Sequence, residues 1–405
     1  MRNNRYLPTA LGLYINYIIH GMGVIIISQN QNMLMEQWGT DLAGIGSVIG
    51  WLGIGRLIAI VISGPLSDRF GRKPFVYLGM ATYMAYFLGL IYSHSVAMAS
   101  VFALIAGLSN SFLDSGTYPA LMESFPENAG TANVLIKAFV QIGQFLLPLI
   151  IGFLTNNSLW FGWSFIIAVA VLGINMLTMW RMPFPDEDAK EQAEETGGDD
   201  FVSAVKFKSK PKWYIEGIAF VIYGFISQAT FYLISQSLNT YGQMAAGLSM
   251  NEANALMSYY SVGSLLCVFV TAVVATKVRS VKLVAGYTFM SLVAAVLMWL
   301  YPTPLMLKVG AAMIGFFAAG GVMQLGLTVM GEMFPQGKGT VTSIFYTFGS
   351  VASWLIPNIS PWLIENYDIS AVMLFEVIIA AIGFIIGVII FIRYYQVVDT
   401  SEMPE

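Results

Sequence analysis

Apolar runs of about twenty residues, the length that crosses a bilayer core as a helix, alternate with short polar connections along most of this chain. Twelve such runs lie near 7–30, 42–63, 74–93, 96–120, 131–154, 159–180, 213–238, 252–275, 283–301, 304–329, 340–363 and 370–394. The pattern predicts an all-α integral membrane protein with twelve transmembrane helices. One long polar interruption, 182–212, holds "DEDAKEQAEETGGDD" and then "KFKSKPK". Its charge density and lack of apolar anchors predict a mobile linker. It divides the spans six and six: an amino-terminal bundle over 1–181, a cytoplasmic linker over 182–212 and a carboxyl-terminal bundle over 213–405.

Composition supports lipid as the solvent. Hydrophobic residues make up 57% and charged residues 10%, against about 45–50% and 25% in soluble domains. The net charge of −4 decides nothing here. A single cysteine, Cys267, excludes an intrachain disulfide or a cysteine-based metal site. His20 and His94 are too few and too separated for a metal cluster. No nucleophile–base constellation points to an enzyme. No Gly-x4-Gly-Lys-Ser/Thr stretch points to ATP-driven transport. No cofactor and no nucleic-acid partner are expected, and a monomer is. The first apolar run begins near Leu7, exceeds the length of a leader's core and lacks a small-residue cleavage site, so no cleavable leader is expected.

Lys and Arg set the expected orientation. Of the 19, Arg56, Lys137 and Lys308 fall within spans. All the others lie in the amino-terminal tail, the even-to-odd connections, the linker or the carboxyl tail. Both termini are therefore expected in the cytoplasm, with the protein in the cell membrane. The halves also repeat: "ESFPENAGT" from Glu123 returns as "EMFPQGKGT" from Glu332, at an offset of 209. "ISQNQN" from Ile27 returns as "ISQSLN" from Ile234, at an offset of 207. Duplicated halves of this kind bind substrate near the midplane between repeats.

Between the second and third runs stands "GPLSDRFGRKP", Gly64–Pro74. It resembles the loop signature of the major facilitator superfamily in Gly64, Leu66, Asp68, Arg69, Gly71, Arg72 and Lys73, with Ser67 in an alanine position. "VATKVRSVK", from Val274, resembles the family's degenerate second copy. The resemblance implies two pseudo-symmetric six-helix bundles that rock about a central site. Gly64 and Gly71 are expected to permit a tight turn and close helix approach. Arg69, Arg72 and Lys73 anchor the loop on the cytoplasmic side. The resemblance also implies that Asp68 contacts the eleventh span near Gly339-Thr340 as a gating latch, the alternative being a topology anchor only. Glu123 and Glu332, in the repeated loops, join the gating set. The family's fifth-span antiporter signature is incomplete: Gly143, Pro148 and Gly152 remain, but Leu147 and Ile151 replace two glycines. The fourth-span arginine of proton-coupled drug exporters would fall near Ala103 and is missing. Both departures argue against drug efflux.

Ionisable residues inside spans mark function by default. Arg56 lies eight residues before Gly64, Asp114 nine before Glu123 and Lys137 seven after Gly130. At 1.5 Å per residue each sits roughly 10–14 Å from the cytoplasmic end of its helix. None has a charged mate in the second half: the offsets pair them with Ser264, Met323 and Tyr346. One reading is a buried ion pair that fixes packing. The other is a cationic excess that suits a small organic anion, with Asp114 as the proton-sensitive member. Asp114 bears a weak resemblance to the fourth-span acid of the fucose–proton symporters, whose first-span Asp is absent here. Further candidates for substrate or proton binding are Gln29, Asn32, Asn110, Gln141, Gln228, Tyr232, Gln236 and Gln324; each could equally be interhelical glue. Gln141 and Gln144 share a helix face with Lys137. His20 reads as a packed residue, with a proton relay as the alternative, Glu376 as snorkelling or paired, and Trp160, Trp163, Trp299, Trp354 and Trp362 mostly as interfacial anchors.

These residues lead to an expected secondary transporter of a small polar solute, an organic anion first, by alternating access with proton coupling. The alternatives are a sugar or polyol symporter, a multidrug–proton antiporter and a non-transporting membrane receptor.

Overall fold

The computed structural model describes residues 4–125, 129–185, 207–275, 277–319, 322–334 and 338–399. The chain divides into two compact units, Met1–Asp200 and Phe201–Glu405. Both are helical, and the described residues hold no strand beyond an isolated bridge between Phe207 and Val398.

The first unit contains α1 (Leu7–Gln29), α2 (Gln31–Trp38), α3 (Leu42–Phe70), α4 (Arg72–Tyr92), α5 (Val96–Ser124), α6 (Ala129–Asn156) and α7 (Trp163–Met179). The second begins with a π-helical turn, Trp213–Gly217, that runs into α8 (Ile218–Ala246). Then follow α9 (Met250–Val274), α10 (Ser280–Leu300), α11 (Pro304–Ile314) with a π-helical turn over Gly315–Ala319, α12 (Val322–Met333), α13 (Lys338–Asn366) and α14 (Ile369–Val397). Nine helices among the described residues are long and apolar enough to cross a membrane, and Trp163–Met179 and Pro304–Ala319 are shorter apolar helices.

The connections carry the signals that start and stop helices. Asp41, Ser95, Thr303 and Asp368 each accept a backbone N–H in the first turn of the helix they precede. Ser249 and Glu252 form a reciprocal capping box ahead of α9. Packing repeats between the units. In the first, α1 lies on α6, α3 on α5 and α4 on α7; in the second, α8 lies on α13, α9 on α11 and α10 on α14. Glycines allow the closest crossings. A Cβ on Gly55 would strike the Leu104 carbonyl and one on Gly107 the Leu52 carbonyl; in the second unit Gly263 meets Ala312 and Gly315 meets Tyr260 in the same way. Backbones in contact give the dense packing that small residues permit between apolar helices.

Two expectations change. The Gly64–Phe70 stretch is the last part of α3, not a turn, and Pro65 is accommodated inside the helix on an exposed face. Gly64 has open space where a Cβ would stand, so it makes no close helix approach. The turn falls on Gly71 alone, whose φ of 94° is a conformation that glycine adopts without steric cost. The connection between the units is also tied down at its described ends. Thr9 Oγ1 donates to the Pro183 carbonyl at 2.6 Å, and Lys208 N–H donates to the Val397 carbonyl at 2.8 Å. Residues 186–206 lie outside the described residues.

Candidate functional site

The glycine crossing of α3 and α5 sets the site. Gly55 and Gly107 bring the two backbones together, and Ser111 Oγ donates to the Arg56 carbonyl at 3.2 Å. One turn beyond, the Arg56 guanidinium reaches Asp114 at 3.6 Å. From α1, Tyr17 donates its hydroxyl to the other carboxylate oxygen of Asp114 at 2.7 Å. Three residues on, His20 Nδ1 shares a hydrogen bond with the Tyr83 hydroxyl of α4 at 2.6 Å, and its ring meets the edge of Tyr17.

Lys137 enters from α6. A second glycine crossing holds that helix: a Cβ on Gly21 would strike the Val140 carbonyl, and one on Gly143 the Ile18 carbonyl. Lys137 lies within electrostatic reach of Arg56, Asp114 and His20. It is half-buried and makes no hydrogen bond or ion pair among the described residues. Among the described residues the site therefore holds two basic side chains and one carboxylate, which already serves Arg56 and Tyr17. Next on α6, Gln141 and Gln144 are buried, and both amide atoms of Gln144 lack a partner among the described residues.

The loop after α3 forms a separate cluster. Arg72 pairs with Glu123 at 3.1 Å and donates to Ser67 Oγ at 3.3 Å, and Ser67 in turn donates to the Ser115 carbonyl at 2.8 Å. Lys73 donates to the Trp180 carbonyl at 2.8 Å. Arg69 is exposed and lies over its neighbour Phe70. The Asp68 side chain is outside the described residues. In the repeat, Glu332 accepts the Tyr394 hydroxyl at 2.7 Å. Burial raises the pKa of Glu332 above the ordinary carboxylate value, opposed by that hydrogen bond and by Arg279.

The family profile described as Major Facilitator Superfamily matches residues 13–353 and 247–402. The chain belongs to the Major Facilitator Superfamily. It is 47% identical over 394 residues to the inner membrane transport protein YdiM of Escherichia coli strain K12, covering 96% of this chain and 95% of that protein. It is 25% identical over 379 residues to the probable galactarate/D-glucarate transporter GudP of Bacillus subtilis strain 168, covering 84% and 81%. In fold it is similar to the crystal structure of a D-xylose–proton symporter, with a TM-score of 0.74, 13% identity and 98% coverage of both chains. It is thus a multi-pass membrane protein of a transporter family, and the two relatives above are named as transporters.

Within this superfamily member the remaining candidates scatter. Gln29 is buried at the end of α1, and Asn32 is half-buried on α2; at 1.5 Å per residue Gln29 lies about 18 Å along the helix from Tyr17. Asn110 is buried one turn before Asp114. In the second unit Gln228, Tyr232 and Gln236 are buried on α8, and Gln228 Nε2 lies 3.1 Å from Met323 Sδ. The Gln324 side chain is outside the described residues. His20 is packed as expected, but beside the charges. Tyr17, Tyr83 and Tyr118, whose ring edges against Tyr17, were not among the candidates. The spacing of Tyr17 and His20, three residues apart on one helix face, was the available signal.

Glu376 corrects its reading. It neither snorkels nor pairs: it is fully buried, and neither carboxyl oxygen has a hydrogen-bond partner among the described residues. The apolar run around it lies inside the helix bundle on that face, so the side chain has no route to an interface.

Proposed function

We propose that this protein is a secondary transporter that moves a small organic anion across the cytoplasmic membrane by alternating access, with proton coupling. The reading includes twelve spans in two six-helix halves, 1–181 and 213–405, joined by the linker 182–212, with both termini in the cytoplasm and a monomer as the working unit. Arg56 and Lys137 receive the anion. Asp114 balances Arg56, and Tyr17 orients Asp114.

One observation carries the choice of charge. Lys137 has no hydrogen bond or ion pair among the described residues, while the single nearby carboxylate is already engaged. An ammonium drawn partly out of water, with only the already engaged Asp114 within electrostatic reach, is destabilised, and a bound carboxylate supplies the missing compensation. The naming of GudP for two sugar diacids supports an anion of that chemistry. Arg56 offers bidentate geometry to a carboxylate and Lys137 a point charge. The test offers carboxylic acids and their amides in pairs to the purified protein in detergent. The acids should bind and the amides should not; equal binding of both members of a pair would remove the anion from the account.

A further inference from the structure

Glu376 lies in α14, inside the second unit, whereas the Arg56–Asp114–Lys137 cluster belongs to the first, and its exposure is 0%. The Thr230 hydroxyl of α8 lies beside its carboxyl, without forming a hydrogen bond of good geometry. Tyr260 of α9, buried and with an unpartnered hydroxyl, is within electrostatic reach. Tyr232 of α8 belongs to the same hydrophobic cluster as Val372 and Ile379, which flank Glu376 along α14. No cation faces it among the described side chains. Arg393, the charged residue at the other end of α14, is engaged by Glu216. Tyr287 of α10 and Tyr346 of α13 belong to the other core cluster of the unit, and Lys282 and Glu365 stand near helix ends.

An ionised carboxylate in this setting would be buried with neither a counter-charge nor a hydrogen bond, one of the costliest arrangements a protein can hold. The protonated acid is a neutral group of nearly the same shape and avoids that cost. One and two turns further along α14, Ala380 and Gly383 border a cavity of about 30 Å³, room for about one or two waters. Ser227, Thr230, Thr288 and Ser291 also line it. Thr230 stands beside the carboxyl and also borders that space, while the Ser227 and Thr288 hydroxyls donate to backbone carbonyls of their own helices.

We propose that Glu376 is a proton-carrying site, holding its proton while buried and exchanging it through the small cavity beside Thr230. The step is an acid–base transfer: the Glu376 O–H bond breaks, the proton passes to a water in the cavity and the carboxylate remains, with the reverse on return. This rests on the transporter reading for its use, because a buried carboxyl that gains and loses one proton per cycle can supply the coupling.

Infrared spectroscopy of the full-length protein in liposomes tests the site without any transported solute. A protonated-carboxyl C=O band should be present at neutral pH, shift on transfer to heavy water and vanish in Glu376→Gln. Glu376→Asp should keep the band at a displaced frequency, which preserves the test if the glutamine variant does not assemble. Ser227→Ala with Thr230→Val should slow the heavy-water shift of the band at least several-fold. A wild-type protein without the band, or an unchanged band in Glu376→Gln or in Glu376→Asp, overturns the proposal. An unaltered exchange rate in the hydroxyl variant removes the cavity route. Neither result bears on anion binding at Arg56 and Lys137, so the two readings fail separately.

Discussion

Asp114→Asn, combined with Arg56→Met, measures how firmly the charged cluster ties α1, α3 and α5 together. The ion pair is 3.6 Å long, which at an effective dielectric near 20 is a gross attraction of about 5 kcal/mol. The side chains keep 16% and 27% of their exposure. The net value should fall below the roughly 3–5 kcal/mol lost when one member of a fully buried pair is removed. It should exceed the 0–1 kcal/mol or so of a surface pair. About 2 kcal/mol follows. Asparagine also turns the Tyr17 bond of 2.7 Å from charge-assisted to neutral, a further loss of about 1 kcal/mol. The single variant should therefore be destabilised by about 3 kcal/mol. The assay is unfolding in mixed detergent micelles of the wild type, both single variants and the double variant. The double-mutant cycle should return a coupling of about 2 kcal/mol between Arg56 and Asp114. A coupling below about 0.5 kcal/mol would refute the reasoning and leave the pair as two independently solvated groups.

Two further outcomes follow from local geometry. Gly107→Ala places a methyl against the Leu52 carbonyl and 2.5 Å from the Arg56 backbone nitrogen, so it should cost about 1–3 kcal/mol of overpacking and shift the α3 backbone at Arg56. Gly64→Ala meets open space and should leave stability unchanged or raise it by up to about 1 kcal/mol; the reverse ranking of the two in the same unfolding assay would sink the crossing argument. Glu332 holds its proton more tightly when folded than when unfolded, because burial raises its pKa. Its contribution is therefore most favourable at acid pH and declines as pH rises from the ordinary carboxylate value through the raised one. Thermal melts across that window should show wild-type stability falling relative to Glu332→Gln, and a relative rise would contradict the assignment.

Much of the site was legible because two sequence signals mark the same ends of several helices. Counting back from "GPLSDRFGRKP" to Arg56, and back and forward from "ESFPENAGT" to Asp114 and Lys137, puts the three at one depth, and the structure brings them together. Depth is readable from a 1.5 Å rise, but rotation about the helix axis is not readable where every face is apolar. That is why Glu376, in the uniformly apolar α14, passed as a snorkelling or paired residue while its side chain points into the bundle. Tyr17 was missed for a related reason. A tyrosine in an apolar run reads as packing, and only the arrival of Asp114 from α5 gives its hydroxyl a partner. The end of α3 was misplaced because glycine and proline ordinarily signal a turn. Here Pro65 falls on an exposed face, where the helix can forgo one backbone hydrogen bond and continue to Phe70.

Lys137 tests the central claim most directly. Titration calorimetry of the wild type and of Lys137→Gln with a carboxylate such as D-glucarate and with its diamide separates charge recognition from shape. The panel extends to smaller mono- and dicarboxylates, each with its amide. The account predicts that at least one acid binds the wild type, that its amide binds at least tenfold more weakly, about 1.4 kcal/mol, and that Lys137→Gln removes most of this preference. An acid and amide that bind equally, or a preference for the acid that survives Lys137→Gln undiminished, would contradict it.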